Sequence, residues 1–199
     1  DIKNVMLFLQ GYGVSTAYAA KIYRCYGKES IDKVKENPYR LADDIWGIGF
    51  KTADGIASKM GYEKNDLRRC KSGLSYTLSS LSDDGHVYAE QEQLLKSAIE
   101  LLEADQDSIV QAMKEMVESE QLIMDGDVIY LPPFYYAEIG TANKLKNLMG
   151  STSMKAVPVQ PNIQAISLQT GIEYDDVQVD AIRQAVNSKV MVLTGGPGT

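Results

Sequence analysis

One short motif occurs twice near the start of the chain, and it limits what the chain can fold into. Leu9-Gln10-Gly11-Tyr12-Gly13-Val14-Ser15-Thr16-Ala17 aligns with Ile45-Trp46-Gly47-Ile48-Gly49-Phe50-Lys51-Thr52-Ala53 at an offset of 36. Gly11/Gly47, Gly13/Gly49, Thr16/Thr52 and Ala17/Ala53 then coincide. Val5, Met6, Phe8 and Leu9 give an apolar helical face before the first copy. Ala17, Ala20, Lys21 and Tyr23 to Tyr26 follow it, with Ser15 or Thr16 as the cap and Gly27 as the stop. Between the copies, Ile31 to Glu36 reads as a short helix and Asn37-Pro38-Tyr39 as a break. Leu41, Ile45 and Trp46 then read as the first helix of the second copy. The pattern predicts a tandem helix-hairpin-helix and a mainly α chain.

Such a turn suits a phosphodiester. Glycines let backbone N–H groups face outward at a helix N-terminus, where an anion is favoured. A phosphate docks there without its base being read. The candidate DNA contacts are Gly11, Gly13, Ser15, Gly47, Gly49, Lys51 and Thr52, with Lys21, Lys59, Arg68 and Arg69 close in sequence. The competing reading is a plain tight αα-hairpin whose glycines only permit close packing. Charge favours the first. The chain carries a net −7, yet residues 1–71 hold 13 Lys and Arg against 9 Asp and Glu, a net of +4. The rest is strongly acidic, so any DNA contact falls on the first third. The second copy matches better, since the first has Tyr12 and no basic residue in its turn.

Residues 66–86 read as a helix with Leu67, Leu74, Leu78 and Leu81 inward, ended by Asp83-Asp84-Gly85. His86 to Ala89 reads as a short strand, with His86 as a surface residue. Residues 90–131 read as a winged-helix-like α+β unit. Gln91 to Glu103 is amphipathic, Asp107 or Ser108 caps a second helix, and Leu122 to Leu131 is a hairpin turning at Asp125-Gly126. Winged helices often bind DNA, but this second helix carries Asp107, Glu115, Glu118 and Glu120 against Lys114. Phosphates are repelled by such a face, so a scaffolding or protein-partner role is expected. Pro132-Pro133 reads as a break and Ala137 to Leu148 as a helix. The resulting division is 1–71 hairpins, 72–149 winged-helix-like unit, 150–162 linker and 163–199 a further domain.

That last part ends on a distinctive run. Val190-Met191-Val192-Leu193-Thr194 reads as the apolar strand that delivers a phosphate loop, though without its sheet to bury it here, and Gly195-Gly196-Pro197-Gly198-Thr199 fits the opening of G-x-x-x-x-G-K-[ST]. The residues that would complete a phosphate loop lie beyond Thr199, so the chain reads as the front part of a larger nucleotide-binding protein. The competing reading is an incidental flexible tail. Upstream, Asp175 or Asp176 caps a helix from Val177 to Val186, with Gln178 in its first turn.

Composition excludes several classes. At 44% hydrophobic the 199 residues can bury a core, yet no run approaches the ~20 apolar residues of a membrane span. Cys25 and Cys70 are far apart, and His86 is the one histidine, so no metal site is expected. Without a signal-like opening, a cytoplasmic location with reduced thiols is expected.

The order of parts resembles the N-terminal half of RecD/TraA-type helicases. The tandem hairpins with Trp46 to Asp54, then Ile129-Tyr130-Leu131-Pro132-Pro133 with Ala137-Glu138, then a glutamine-bearing helix, then Val192 to Thr199, carry the likeness. The resemblance implies a superfamily 1B DNA helicase of the stand-alone kind. Such an enzyme moves 5′ to 3′ on single-stranded DNA or a single-strand/duplex junction with ATP and magnesium, in repair or recombination. It implies ATP contacts at Gln178, matching the adenine-binding glutamine, and at Gly195, Gly196, Pro197, Gly198 and Thr199. The lead-in Tyr174-Asp175-Asp176-Val177 departs from the usual Ser-x-x-Gln. No catalytic residue, ATP or magnesium is expected within this stretch, which should be inactive alone and loosely packed over 160–199. The alternatives are a non-enzymatic DNA-binding or adaptor module, and part of an AAA-type P-loop ATPase.

Overall fold

The computed structural model describes residues 2–150 and 160–196. The chain is mainly helical and resolves into two units, residues 1–135 and 136–199. The first unit opens with α1 (Ile2–Gly11) and α2 (Thr16–Tyr26). Gly27, at φ +57, stops α2 and leads through a 3-10 turn into α3 (Ser30–Glu36). Ser30 is buried there but satisfied, donating its hydroxyl to the Gly27 carbonyl at 2.6 Å.

The second hairpin is α4 (Arg40–Asp44) and α5 (Phe50–Lys59). α4 is a single turn, so Ile45 and Trp46 lie outside it, contrary to the expected first helix. The helix stops because Ile45 turns extended, at φ −124 and ψ 108, on the way into the left-handed Gly47 at φ +89.

α6 (Leu67–Asp83) is the central helix of this unit. It packs against α5, and against α7 (Gln91–Leu102) and α8 (Gln106–Glu118). Leu74 and Leu78 are buried on it, and Gly73 lets α7 approach, since a Cβ there would stand 2.5 Å from Leu102 Cδ2. The boundary expected at 71/72 therefore falls inside an unbroken helix whose apolar faces serve the residues on either side. The cap of α8 is Asp105, which accepts the Ser108 N–H at 2.8 Å, rather than Asp107 or Ser108. Asp107 already lies in the first turn, where its charge faces the helix N-terminus.

Three short strands complete the unit. β1 (Ala89–Glu90) and β2 (Ile123–Asp125) both pair antiparallel with β3 (Val128–Tyr130), giving the order β1-β3-β2. Gly126, at φ +61, makes the β2–β3 turn. The core runs continuously from Val5 and Leu9 through Ile22, Leu41 and Leu74 to Leu94, Ile109 and Ile129.

Pro132 and Pro133 do not break the chain. They open α9 (Pro132–Gly150), where the missing N–H of proline has no intrahelical partner to lose. The linker expected at 150–162 lies largely outside the described residues, and Gln160 already begins α10 (Gln160–Thr170). α10 packs beside α11 (Asp176–Asn187). The strand expected at 190–194 is not formed. Among the described residues no partner strand stands beside residues 191–196, and Val192 is 84% exposed. A parallel-sheet strand needs neighbours for its backbone groups and cover for both faces. Among the described residues of the second unit only Ile163 is buried.

Candidate nucleic-acid interface

The two hairpins repeat, but in a different register from the one the glycines imply. In the first, Gly13 takes φ +76, the Val14 N–H donates to the Leu9 carbonyl at 3.0 Å, and Ser15 is the N-cap of α2. In the second, Gly47 takes φ +89, the Ile48 N–H donates to the Ile45 carbonyl at 3.0 Å, and Gly49 is the N-cap of α5. Gly13 therefore corresponds to Gly47, Val14 to Ile48 and Ser15 to Gly49. The buried pairs Ala19/Ala53 and Ile22/Ile56 follow at the same spacing, an offset of 34. The left-handed position needs glycine. Gly11 has no such role, because it closes α1 with ordinary helical geometry.

This register separates the two turns chemically. The N-terminus of α2 is capped by its own side chain, for Ser15 Oγ accepts the Tyr18 N–H at 3.2 Å. Gln10 further ties up Thr16 by donating to its hydroxyl at 3.3 Å. The N-terminus of α5 has no side-chain cap. Its Thr52 and Ala53 N–H groups bond back to the Gly49 carbonyl, both at 3.1 Å. Among the described residues, nothing accepts the Phe50 and Lys51 N–H groups at this turn. Four such groups open a helix, and a cap or an anion normally meets them.

Lysines from the opposite hairpin reach each turn. Lys21 of α2 donates its ammonium to the Trp46 carbonyl at 3.3 Å, and a Cβ on Gly47 would come 3.1 Å from that nitrogen. Lys59 at the end of α5 lies against Gly13, where a Cβ would overlap its ammonium. Lys51 is exposed in the first turn of α5, with its ammonium 6.0 Å from the Tyr76 ring centre. Among the described residues, no carboxylate forms an ion pair with Lys21, Lys51 or Lys59, so their charge faces the surface. Thr52 is half-buried beside Lys51.

Arg68 and Arg69 are spent inside the protein instead. Arg69 pairs with Asp54 at 2.7 and 3.0 Å and also donates to the Leu102 and Lys64 carbonyls. Tyr39 donates its hydroxyl to the same Asp54 at 2.9 Å. The Asp54 hydrogen bond raises the Arg69 pKa, while burial, then Asp54, pushes the Tyr39 hydroxyl up. Arg68 pairs with Asp66, the N-cap of α6, and holds that carboxyl below its ordinary value. Lys64 and Lys71 pair with Glu103 and Glu115.

Trp46, read in the sequence as part of a helix, lies instead in the turn. It stands 92% exposed between the buried Ile45 and Ile48. The signal was present: with both isoleucines anchoring a left-handed turn, the residue between Ile45 and Gly47 has no inward direction left.

The nucleotide-binding expectation meets a mixed outcome. Gln178, Gly195 and Gly196 line one cleft in the second unit, together with Tyr174, Val177 and Ile182. The Gln178 side-chain Oε1 accepts the Asp175 N–H at 3.2 Å and the Asp175 carboxylate accepts the Gln178 N–H in return, a capping box, while Asp175 also accepts the Val177 N–H at 2.7 Å. The glutamine thus has a structural duty that its first-turn position foretold only in part. Gly195 and Gly196 are exposed and lie on no helix N-terminus, so the described residues make no phosphate cradle. Pro197, Gly198 and Thr199 lie outside the described residues. Among the described residues, no group of three side chains is placed to hold a metal.

Comparison with known proteins supplies the context. Residues 1–88 match the sequence family described as the ATP-dependent RecD2 DNA helicase HHH domain. The chain is 23% identical over 211 residues to a protein named ATP-dependent RecD2 DNA helicase from Deinococcus radiodurans. That alignment covers 99% of this chain and 29% of the relative, so the chain spans under a third of that protein's length.

Proposed function

We propose that this chain, whose residues 1–88 match the RecD2 helix-hairpin-helix family, is the N-terminal region of a RecD-type helicase and binds the DNA backbone through its second hairpin. The observation that carries this reading is the uncapped α5 N-terminus beside Gly47, with Lys51 on it and Lys21 reaching across from the first hairpin. Gly47, Gly49, Lys51 and Thr52 form the main contact. Gly13, with Lys59 against it, forms a weaker one, while Ser15 serves its own helix and Gly11 closes α1. Binding through N–H groups and ammoniums carries no sequence preference.

The protein that uses this region is read as an ATP-dependent 5′ to 3′ DNA helicase of repair or recombination, working with magnesium in the cytoplasm. Residues 1–199 alone are read as inactive: the described Gly195 and Gly196 are exposed, and no strand leads into them. The order α6-β1-α7-α8-β2-β3 with its β1-β3-β2 sheet is read as a winged helix. Its α8 face is acidic, which favours a scaffold or a protein partner over DNA. No helix among the described residues is long and apolar enough to cross a membrane.

Lys51→Glu tests the assignment. Affinity for labelled single-stranded and duplex DNA, followed by fluorescence anisotropy, should drop several-fold, and the salt slope should shrink by about 1. An unchanged affinity for both DNAs would leave the hairpin a structural turn.

A further inference from the structure

Trp46 is the chain's one tryptophan, and the fold presents it to solvent rather than burying it. Its counterpart in the first hairpin, Tyr12, is half-buried and packs edge-on against Phe8 with ring centres 5.0 Å apart. The same position in the repeat thus serves the core in one copy and the surface in the other. Trp46 is nevertheless well held. Ile45 and Ile48 anchor the backbone on both sides, the Lys21 ammonium binds its carbonyl, and that ammonium also sits 5.6 Å from its ring centre. A large aromatic ring on a fixed backbone, next to unneutralised lysines and open N–H groups, has the chemistry of a base-stacking platform beside a phosphate site.

We propose that Trp46 stacks on an unpaired nucleobase, with Lys21 and the uncapped start of α5 holding an adjoining phosphate. The inference rests on the DNA-binding reading and deepens it: the second hairpin prefers DNA whose bases are free to leave the stack. Paired bases inside a duplex offer no open face to such a ring, whereas single strands and junctions do. Charge complementarity selects nucleic acid as the occupant over a protein surface, since the Lys21 ammonium sits over the ring, Lys51 follows five residues on at the start of α5, and among the described residues no carboxylate forms an ion pair with either.

The single tryptophan makes the test direct. Oligothymidylate added to the 199-residue chain should quench the tryptophan emission, and a blunt duplex should quench it far less. Trp46→Ala should weaken single-strand affinity on the order of 10-fold and leave duplex affinity unchanged, while Trp46→Phe restores most of the loss. Because the side chain is exposed, the thermal midpoint of both variants should match the parent. Equal losses on both DNAs, or no loss on the single strand, would overturn the stacking role while leaving backbone binding intact. An emission change that follows protein concentration without DNA would overturn it in favour of a second copy. Absence of any DNA binding at low salt would instead remove the underlying reading, and this inference with it.

Discussion

Arg69→Ala should lower the unfolding free energy by about 3 kcal/mol. Arg69 and Asp54 are 13% and 23% exposed at their side chains, so solvent screens the pair far less than an ordinary surface ion pair. The guanidinium joins three parts of the first unit: Asp54 on α5, the Lys64 carbonyl before α6, and the Leu102 carbonyl at the end of α7. Removing it leaves the part-buried Asp54 carboxylate with the Tyr39 hydroxyl but no counter-charge, and takes a donor from two carbonyls. Urea denaturation of the parent and the variant measures the difference. A loss under ~1 kcal/mol, the range of exposed pairs, would show that the clamp is ornamental.

The same cluster implies an alkaline limit. The Tyr39 hydroxyl keeps its proton above the ordinary value of 10.0, because burial and Asp54 both oppose the phenolate. Its contribution to stability is therefore complete below pH 10 and falls as the pH rises beyond that value. Tyr39→Phe should flatten that part of the stability profile.

The second large effect concerns binding. Lys21→Glu combined with Lys59→Glu should weaken DNA affinity on the order of 100-fold at low salt. One lysine serves each turn, and reversal adds repulsion to the lost attraction. The matched control is Lys96→Glu with Lys114→Glu, which makes the same charge change on the exposed faces of α7 and α8. That control should cost far less. Equal losses would mean that overall charge, or the winged-helix-like unit, governs binding.

What could be read from the residues alone depended on how local the cause was. The α11 helix and its cap followed from Asp175 and the apolar spacing after it, and the β2–β3 turn from Asp125-Gly126. α6 was legible through Leu67, Leu74 and Leu78. The hairpins were legible as hairpins, but their register was not. Matching letters pairs Gly11 with Gly47, whereas backbone geometry pairs Gly13 with Gly47, because of Gly11, Gly13, Gly47 and Gly49 only those two adopt positive φ. The roles of Arg68 and Arg69 were hidden for a related reason. Both looked like phosphate contacts by proximity in sequence, and their carboxylate and carbonyl partners come from residues up to 33 positions away. The strand at 190–194 failed for a non-local reason too: β-branched composition favours a strand only where neighbouring strands receive it. Trp46 was overlooked because it was counted as helix, when α4 ends at Asp44.

The central claim is that the hairpin turns bind DNA backbone, and the salt dependence of duplex affinity tests it most directly. With Lys21, Lys51 and Lys59 each neutralising a phosphate, log affinity should fall linearly with log salt at a slope of about −3. In the Lys21→Glu and Lys59→Glu double variant the slope should shrink to about −1. A parent slope near zero, or a slope unchanged in the double variant, would contradict the account and leave the two hairpins as packing elements.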